Sequence, residues 1–411
     1  MKVDFNHIPK GWKKVKIAKK LFFQEGPGVR KWQFTDKGIK LLNVGNINNG
    51  KVDLSATDKH LSTEEATGKY AHFLIDEGDL LIACSGIVVD NFHNKIAFAK
   101  KEHLPLCLNT STMRFKALKD DVDLNYFKYY LQTVHFTSQL QKLITGSAQL
   151  NFGPSHIKKI DFLLPPLKTQ KHIAQILDDA AALRDKTKQL LKEYDLLAQA
   201  IFLEMFGDPV INEKGWEENP IGAYINIKHG YAFKSEFFVP KSSYTLLTPG
   251  NFNEAGGYKS QGQKQKYYDG DIPNDYILKN GDILIAMTEQ ATGLLGSVIS
   301  VPEEGIFLHN QRLGLIEYKK NLNSTFIYTV FNQKNIRARI QMESTGTKVK
   351  HTSPKKLMDI TIGFPPIKLQ NQFAEKITLI DQQKKLAKQE LQESEDLFNC
   401  LLQKAFKGEL V

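Results

Sequence analysis

The sequence has few cysteines, no long apolar run and no apolar leader, and each of these absences excludes a class of protein. Its 411 residues include only three cysteines, Cys84, Cys107 and Cys400. Three widely separated cysteines favour neither a disulfide framework nor a zinc site. The longest apolar runs, such as residues 283–287, are too short to span a membrane, and residues 1–5 lack the apolar core of a signal peptide. We therefore expect a cytoplasmic protein that contacts no membrane.

The composition is that of a globular chain with more than one domain. Hydrophobic residues make up 41% and charged residues 24% of a chain that is too long for one ordinary core. The net charge of +10 is uneven: Lys and Arg outnumber Asp and Glu by 24 to 16 in residues 1–167 and by 18 to 16 in residues 208–367. Residues 168–207 and 368–411 are each neutral. A basic excess suits a polyanion such as DNA, although it also serves solubility.

The chain repeats itself with an offset of 200 residues. The pair Pro165-Pro166 returns as Pro365-Pro366, and Gln170 returns as Gln370. Two upstream features keep the same register, as Thr145-Gly146 returns as Thr345-Gly346 and Pro154 as Pro354. A register of this length indicates two copies of one plan, in which a globular segment leads through a Pro-Pro pair into a long helix.

Each Pro-Pro pair precedes a predicted helix with a heptad seam. The seam residues of the first helix are Ile173, Ile176, Ala180, Leu183, Thr187, Leu190, Tyr194, Leu197 and Ile201. Those of the second are Phe373, Ile377, Ile380, Ala387, Leu391, Phe398, Leu401 and Ala405. Because both seams belong to one chain, we predict that the helices pair antiparallel within it; a parallel coiled coil between two chains is the alternative.

These patterns predict an α+β fold with an internal pseudo-twofold repeat. Two similar globular α/β domains are separated by two long antiparallel coiled-coil helices. The predicted boundaries are 1–167 for the first globular domain, 168–207 for the first helix, 208–367 for the second globular domain and 368–411 for the second helix.

Polar loops follow the predicted strands and helices of both copies, and such loops carry most recognition residues in proteins. Short apolar strands lead into loops with the candidates Ser85, Thr288, Gln290 and Thr292. The loops after the shorter predicted helices are rich in glycine, hydroxyls, amides and lysines, which can donate hydrogen bonds to phosphates. They add the candidates Gly146, Ser147, Gln149, Thr347, Lys348 and Lys350.

Other candidates carry groups that can bind phosphates or base edges. Basic residues at the tip of a glycine-rich turn are Arg30 and Lys31. Amide and guanidinium side chains that can pair with adenine or guanine are Asn46, Asn109, Asn251, Gln311 and Arg312. For Asn46 and Asn251, turn capping is the competing interpretation.

The sequence does not predict a catalytic site or a metal site in this chain. The Pro-Pro pairs lack the preceding polar residue and following aromatic residue of an adenine methyltransferase loop, and they suit helix starts instead. Asp282 with residues 317–319 could form a nuclease-like set, but the first copy has no equivalent glutamate. We therefore predict a chain that is not itself an enzyme.

The combined motifs closely resemble the specificity subunit of type I restriction-modification systems. They are Thr145 to Gln149, Pro154, Leu164 to Leu167, Gln170, Ile173-Ala174 and Leu177, with the weaker echo 200 residues later, and the openings Gly26-Pro27-Gly28, Gly45-Asn46-Ile47 and Gly78-Asp79-Leu80. The second copy departs from the pattern, because Lys348 to His351 replaces the Ser-Ala-Gln-Leu-Asn type of loop.

This resemblance implies a function. Each globular domain would be a target-recognition domain that reads one half of a split site in double-stranded DNA, and the helices would act as spacer and docking surface. The implied partners are two methyltransferase subunits, which use S-adenosylmethionine to methylate adenine, and two restriction subunits, which translocate and cleave DNA with ATP and Mg²⁺. The chain itself would bind no cofactor.

Two other function classes compete with this interpretation. One is a self-sufficient DNA adenine methyltransferase or endonuclease with its own recognition domains. The other is a DNA-binding regulator without enzymatic partners.

Overall fold

A computed structural model describes residues 8–144, 149–289, 291, 293–346 and 349–410. The chain divides into two compact units. The first unit contains Met1–Lys188 and Gln389–Val411, and the second contains Gln189–Lys388. Each unit therefore includes part of both long helices.

The first unit contains fourteen strands within the described residues. They are β1 Lys13–Lys16, β2 Leu21–Glu25, β3 Phe34–Thr35, β4 Ile39–Leu42, β5 Ile47–Asn48, β6 Lys51–Val52, β7 His60–Leu61, β8 Leu80–Ala83, β9 Ile87–Val88, β10 Ile96–Phe98, β11 Leu106–Leu108, β12 Thr112–Ala117, β13 Gln149–Leu150 and β14 Asp161–Leu164. Its helices are α1 Thr63–Thr67, α2 Leu124–Leu131, α3 Val134–Leu143, α4 Pro154–Ile157 and the start of α5 Leu167–Phe206.

The second unit has the same plan with fewer short strands. Its strands are β15 Glu217–Pro220, β16 Ile225–His229, β17 Phe238–Val239, β18 Tyr244–Leu246, β19 Tyr267–Tyr268, β20 Ile283–Ala286, β21 Val298–Ser300, β22 Phe307–Leu308, β23 Leu313–Tyr318 and β24 Thr361–Phe364. Its helices are α6 Ser324–Asn332, α7 Lys334–Met342, α8 Pro354–Met358 and the start of α9 Ile367–Lys407.

Three sheets of the first unit have counterparts of the same strand order in the second. An antiparallel sheet has the order β10-β8-β12-β2 in the first unit and β21-β20-β23-β16 in the second. A mixed sheet has the order β11-β4-β7-β3 and β22-β18-β19-β17, and in each the first pair of strands is parallel. A two-stranded ribbon, β1-β14 or β15-β24, leads into the long helix. The internal repeat predicted from the sequence is confirmed.

Both long helices contribute to the hydrophobic core of each unit. In the first unit the cluster that covers the antiparallel sheet includes Ile173 and Leu177 of α5 and Phe398 of α9. In the second unit the corresponding cluster includes Phe202 of α5 and Phe373 of α9, whose rings lie 5.5 Å apart. Because these side chains complete the cores, a globular segment cut at the Pro-Pro pair would lose part of its apolar packing.

The two helices pack antiparallel within the chain. In the first unit the Lys188 ammonium lies 2.8 Å from the Glu395 carboxylate. In the second unit the Lys384 ammonium lies 2.6 Å from the Asp195 carboxylate. The residue numbers of the paired side chains increase along α5 while they decrease along α9, as they must in an antiparallel pair. The predicted pairing within the chain is confirmed.

The predicted seam of the second helix is buried or half-buried at all eight positions, but that of the first helix is wrong in places. Leu183 and Leu197 are 45% and 46% exposed. The adjacent residues Arg184 and Ala198 are half-buried and take the place of these leucines in the seam. The Arg184 guanidinium lies 5.0 Å from the ring centre of Phe398. A search for apolar periodicity does not select an arginine. The methylene groups of an arginine nevertheless pack well in a helix seam.

A buried glutamine ties each Pro-Pro pair to the globular part of its unit. The Gln170 amide nitrogen donates to the Pro165 carbonyl at 2.8 Å, and its oxygen accepts from the Asp123 backbone N–H at 2.8 Å. Gln370 repeats both contacts with the equivalent residues, at 2.8 and 3.0 Å from Pro365 and Asn323. Both glutamines are almost fully buried, so water cannot replace them.

Replacing Gln170 with alanine should lower the free energy of unfolding of the first unit by about 2 kcal/mol, because buried backbone groups lose their partners. Gln370→Ala should have a similar effect on the second unit. Urea denaturation of the full chain measures both. The matched control is Gln175→Ala, since Gln175 is exposed on the same helix. Equal effects at Gln170 and Gln175 would contradict the prediction.

Candidate nucleic-acid interface

The sheet order of the first unit brings several polar loops to one end of the antiparallel sheet. Strand β12 runs antiparallel to β2 and β8, so it starts where they end. The Gly26 N–H donates to the Thr112 carbonyl at 3.1 Å, and the Cys84 N–H donates to the Ser111 carbonyl at 2.9 Å. The loop before α4 joins them, because the Phe152 N–H donates to the Cys84 carbonyl at 2.9 Å. We name this set of converging loops the loop end of the first unit.

The second unit has an equivalent loop end. The Met287 N–H donates to the Arg312 carbonyl at 3.0 Å, and the Thr352 N–H donates to the Met287 carbonyl at 3.0 Å. The Gln311 N–H donates to the Tyr231 carbonyl at 2.9 Å. The backbone therefore builds the same frame twice from different side chains.

An open cleft of about 320 Å³ lies at the loop end of the first unit. Its lining residues are mostly small and polar: Glu25, Cys84, Ser85, Thr110, Ser111, Asn151, Phe152, Gly153 and His156. The Ser85 hydroxyl donates to the Asn151 side-chain oxygen at 2.9 Å, and the Gly86 N–H donates to the same oxygen at 2.8 Å. These bonds fix one wall of the cleft.

Partial burial raises the pKa of Glu25 above its ordinary value. Burial also raises the pKa of the Cys84 thiol, and the nearby Glu25 carboxylate adds to this shift. A thiol with a raised pKa is a poor nucleophile. Cys84 is 1% exposed and packs in the hydrophobic core of the first unit.

In the second unit Thr288 and His351 occupy the positions of Ser85 and Asn151. The Thr288 hydroxyl lies 3.2 Å from His351 Nδ1, and the two residues form an antiparallel bridge. The Glu289 N–H donates to the Lys350 carbonyl at 2.9 Å. Thr288 and Lys350, both predicted from the sequence, are therefore held side by side by backbone pairing. Met287, which precedes Thr288, donates its N–H to the Arg312 carbonyl and so links Arg312 to them.

Arg30 and Lys31 are exposed in a short 3-10 turn, Lys31–Gln33, that follows the glycine-rich loop. Buried Gln33 anchors this turn, since its amide nitrogen donates to the Tyr70 hydroxyl at 3.1 Å and to the Glu65 carboxylate at 3.0 Å. Trp32, which follows Lys31 in this turn, is 81% exposed. It is not among the residues predicted from the sequence, although an aromatic residue that follows two basic residues in a polar loop was the available signal.

Three predicted base contacts are instead engaged inside the protein. Asn46 is fully buried, and its side-chain oxygen accepts from the Asn43 N–H at 2.9 Å. Asn251 is fully buried and accepts from the Thr248 N–H at 3.0 Å in the same way. The Asn109 amide nitrogen donates to the Asn43 side chain at 2.7 Å. Because these groups already have partners, we do not carry these residues into the proposal below.

The structure describes some of the other predicted residues, and the rest lie outside the described ranges. Ser85 is half-buried in the cleft wall, whereas Gln311 and Arg312 are exposed in the turn before β23. Gln149 is exposed in β13 and pairs with Val88 of β9. Six predicted residues lie outside the described residues: Gly146, Ser147, Gln290, Thr292, Thr347 and Lys348.

The described residues contain no group of three or more His, Cys, Asp or Glu side chains that could hold a metal ion. Glu317, one member of the nuclease-like set, accepts a hydrogen bond from the Asn226 side chain at 2.8 Å on neighbouring strands. It is therefore part of a cross-strand pair.

Comparison with known proteins decides the family. The family model described as type I restriction modification DNA specificity domain matches residues 9–193 and 213–395. The chain belongs to this family. As a specificity subunit it directs DNA recognition within a type I restriction-modification complex and is the non-catalytic component of that enzyme.

Individual relatives of this specificity subunit are distant. The type I restriction enzyme MjaVIII specificity subunit of Methanocaldococcus jannaschii is 25% identical over 195 residues, which cover 47% of this chain and 45% of that protein. The StySPI specificity subunit of Salmonella potsdam is 24% identical over 434 residues, which cover 98% and 90%. The S subunit structure from M. genitalium matches with a TM-score of 0.53 at 17% identity, covering 99% of this chain and 98% of that one. The structural match shows the fold.

Among the described helices of the specificity subunit, none combines the length and apolar content that a bilayer span requires.

Proposed function

We propose that residues 1–167 and 208–367 are two target-recognition domains, each of which reads one half of a split site in double-stranded DNA. Residues 168–207 and 368–411 serve as spacer helices and as a docking surface. The observation that carries the proposal is the duplicated loop end. Matched backbone positions carry Ser85 and Thr288, Ser111 and Arg312, and Asn151 and His351.

A repeated frame with different side chains suits two readers of different sequences. Phosphate contacts are alike along any duplex and need only cations and N–H donors, whereas base contacts require particular donors and acceptors. Arg30 and Lys31, which are exposed, and half-buried Lys350 would bind phosphates, with Gly146, Ser147, Gln149, Thr347 and Lys348 as further candidates. Ser85, Gln311 and Arg312 would lie near base edges, with Gln290, Thr292 and the buried Thr288 as further candidates.

The chemistry belongs to partner subunits in this proposal. Two methyltransferase subunits would bring S-adenosylmethionine and methylate adenine within the site. Two restriction subunits would bring ATP and Mg²⁺ for translocation and cleavage. The assembly would work in the cytoplasm.

Mapping of methylated adenine tests the proposal. Cells that express the chain together with its methyltransferase subunit should methylate one split motif, and cells that express either protein alone should not. Purified chain incubated with DNA, S-adenosylmethionine and Mg²⁺ should leave the DNA unmodified and uncut. Modification or cutting by the chain alone would favour a self-sufficient enzyme. A chain that binds DNA but never co-purifies with a methyltransferase would favour a regulator.

A further inference from the structure

We infer that the cleft at the loop end of the first unit receives the edge of one base of the half-site, and that the Glu25 carboxylate accepts a hydrogen bond from the exocyclic amino group of that base. Cytosine and adenine both present such a group in the major groove. This inference rests on the proposed function and names a residue that determines specificity in the first half-site.

Glu25 ends β2 and faces the loop before α4. A Cβ atom added to Gly153 would lie 2.9 Å from its Oε2 atom, so the carboxylate occupies the space that a side chain at position 153 would need. Gly26, the next residue, packs so closely on the Asn109 backbone that it has no room for a Cβ atom. The backbone on both sides of the carboxylate is therefore fixed, and Glu25 is held in place at the cleft.

The carboxylate is half-buried without an internal counter-charge. Within the described parts of the chain, no Lys, Arg or His nitrogen lies within 4.0 Å of its oxygens and no N–H or O–H group donates to them. Partial burial of an unpaired carboxylate is unfavourable, and the raised pKa of Glu25 agrees with this. A ligand that supplies N–H donors would relieve the cost.

The rest of the cleft favours a base over a phosphate. A carboxylate repels a phosphate, whereas it is the acceptor that proteins use for the cytosine amino group. Thr110 and Ser111 line the same cleft. A hydroxyl can donate or accept, which suits the second polar group of a base edge. The cavity of about 320 Å³ lies in the size range of small-ligand sites.

The second unit carries a different group at the matched position. His229 ends β16 and precedes Gly230, which packs on the Asn310 backbone as Gly26 packs on Asn109. His229 is exposed, and an imidazole can donate a hydrogen bond where a carboxylate cannot. The two units would therefore require different bases at equivalent places of their half-sites.

The test uses the full chain in complex with its methyltransferase subunits. Duplex libraries with each half-site randomised in turn are methylated with S-adenosylmethionine and sequenced. Glu25→Gln should reduce discrimination at one position of the first half-site about tenfold and leave the second half-site unchanged. The base that the wild-type complex requires at that position, cytosine or adenine, identifies the source of the amino group. His229→Ala is the matched variant and should relax only the second half-site.

The outcomes of this test separate the role inferred for Glu25 from the proposed function of the chain. Unchanged preference at every position, or equal loss in both half-sites, would overturn the role of Glu25. Thermal unfolding is measured alongside, and Glu25→Gln should unfold at or above the wild-type temperature, because the carboxylate has no internal partner to lose. A clear loss of stability would also overturn the inference. If the wild-type complex methylates no split motif, the proposed function fails instead.

Discussion

Asp79→Ala should destabilise the first unit by about 4 kcal/mol, the range expected when one member of a buried ion pair is removed. Asp79 and Arg114 are 2% and 6% exposed, and their charged groups lie 3.1 Å apart. Removal of the carboxylate leaves the guanidinium buried without its main counter-charge. Thermal unfolding of the full chain should show the first unit melting about 10 °C earlier.

The second unit supplies the control for this prediction. Asp282 follows a glycine as Asp79 does, and accepts from the Lys279 N–H at 2.8 Å, but Leu315 occupies the place of Arg114. Asp282→Ala removes one hydrogen bond at a turn and should cost about 1 kcal/mol. Unequal effects at the two aspartates would isolate the buried ion pair from the turn that both share.

A double replacement tests the same point from the other side. Asp79→Ala combined with Arg114→Leu copies the leucine of the second unit and removes the unpaired charge. The double variant should be more stable than Asp79→Ala alone, because it no longer buries a guanidinium without its carboxylate. It should remain less stable than the wild type, because the Leu74 and His72 carbonyls lose the hydrogen bonds that Arg114 donates. A double variant less stable than Asp79→Ala would show that the hydrogen bonds of Arg114 to the Leu74 and His72 carbonyls outweigh the cost of its unpaired charge.

The sequence predicted those features that repeat or follow a period. The 200-residue offset predicted two matching units, and Pro165 and Pro365 predicted the starts of the long helices. Local patterns of this kind depend on neighbours in the chain, and here they agree with the fold. The Gly-Asp signal before β8 was read only as a strand start, because the partner of Asp79 is Arg114 on another strand, 35 residues away.

Which polar residues of the candidate interface are free to contact a ligand depends on their surroundings in the fold, and the sequence alone does not predict these surroundings. Asn46 and Asn251 have suitable chemistry, but burial commits both to turns. The role proposed for Glu25 depends on the cleft that it lines, and a single carboxylate in the sequence gives no signal of that cleft. Trp32 follows two basic residues, but its exposure depends on the fold and cannot be predicted from its neighbours in the sequence.

Arg30→Ala combined with Lys31→Ala should lower the affinity of the complex for DNA about 30-fold at 0.15 M salt, if each side chain neutralises one phosphate. Both are exposed, and neither forms an ion pair with another described residue. The plot of log affinity against log salt should become less steep by about 1.8. Binding is measured by fluorescence anisotropy over a salt series.

A second pair of charges at the other end of the same sheet provides the matched control. Lys19 and Lys119 are exposed, one before β2 and the other after β12, and β12 spans about 20 Å from the loop end to that side. Lys19→Ala with Lys119→Ala removes the same charge and should leave affinity and salt dependence nearly unchanged. The loss in the Arg30 and Lys31 variant should be equal for DNA with and without the recognised site, because phosphate contacts carry no sequence information. Equal loss in both double variants would mean that net charge, and not the turn beside Trp32, binds the DNA backbone.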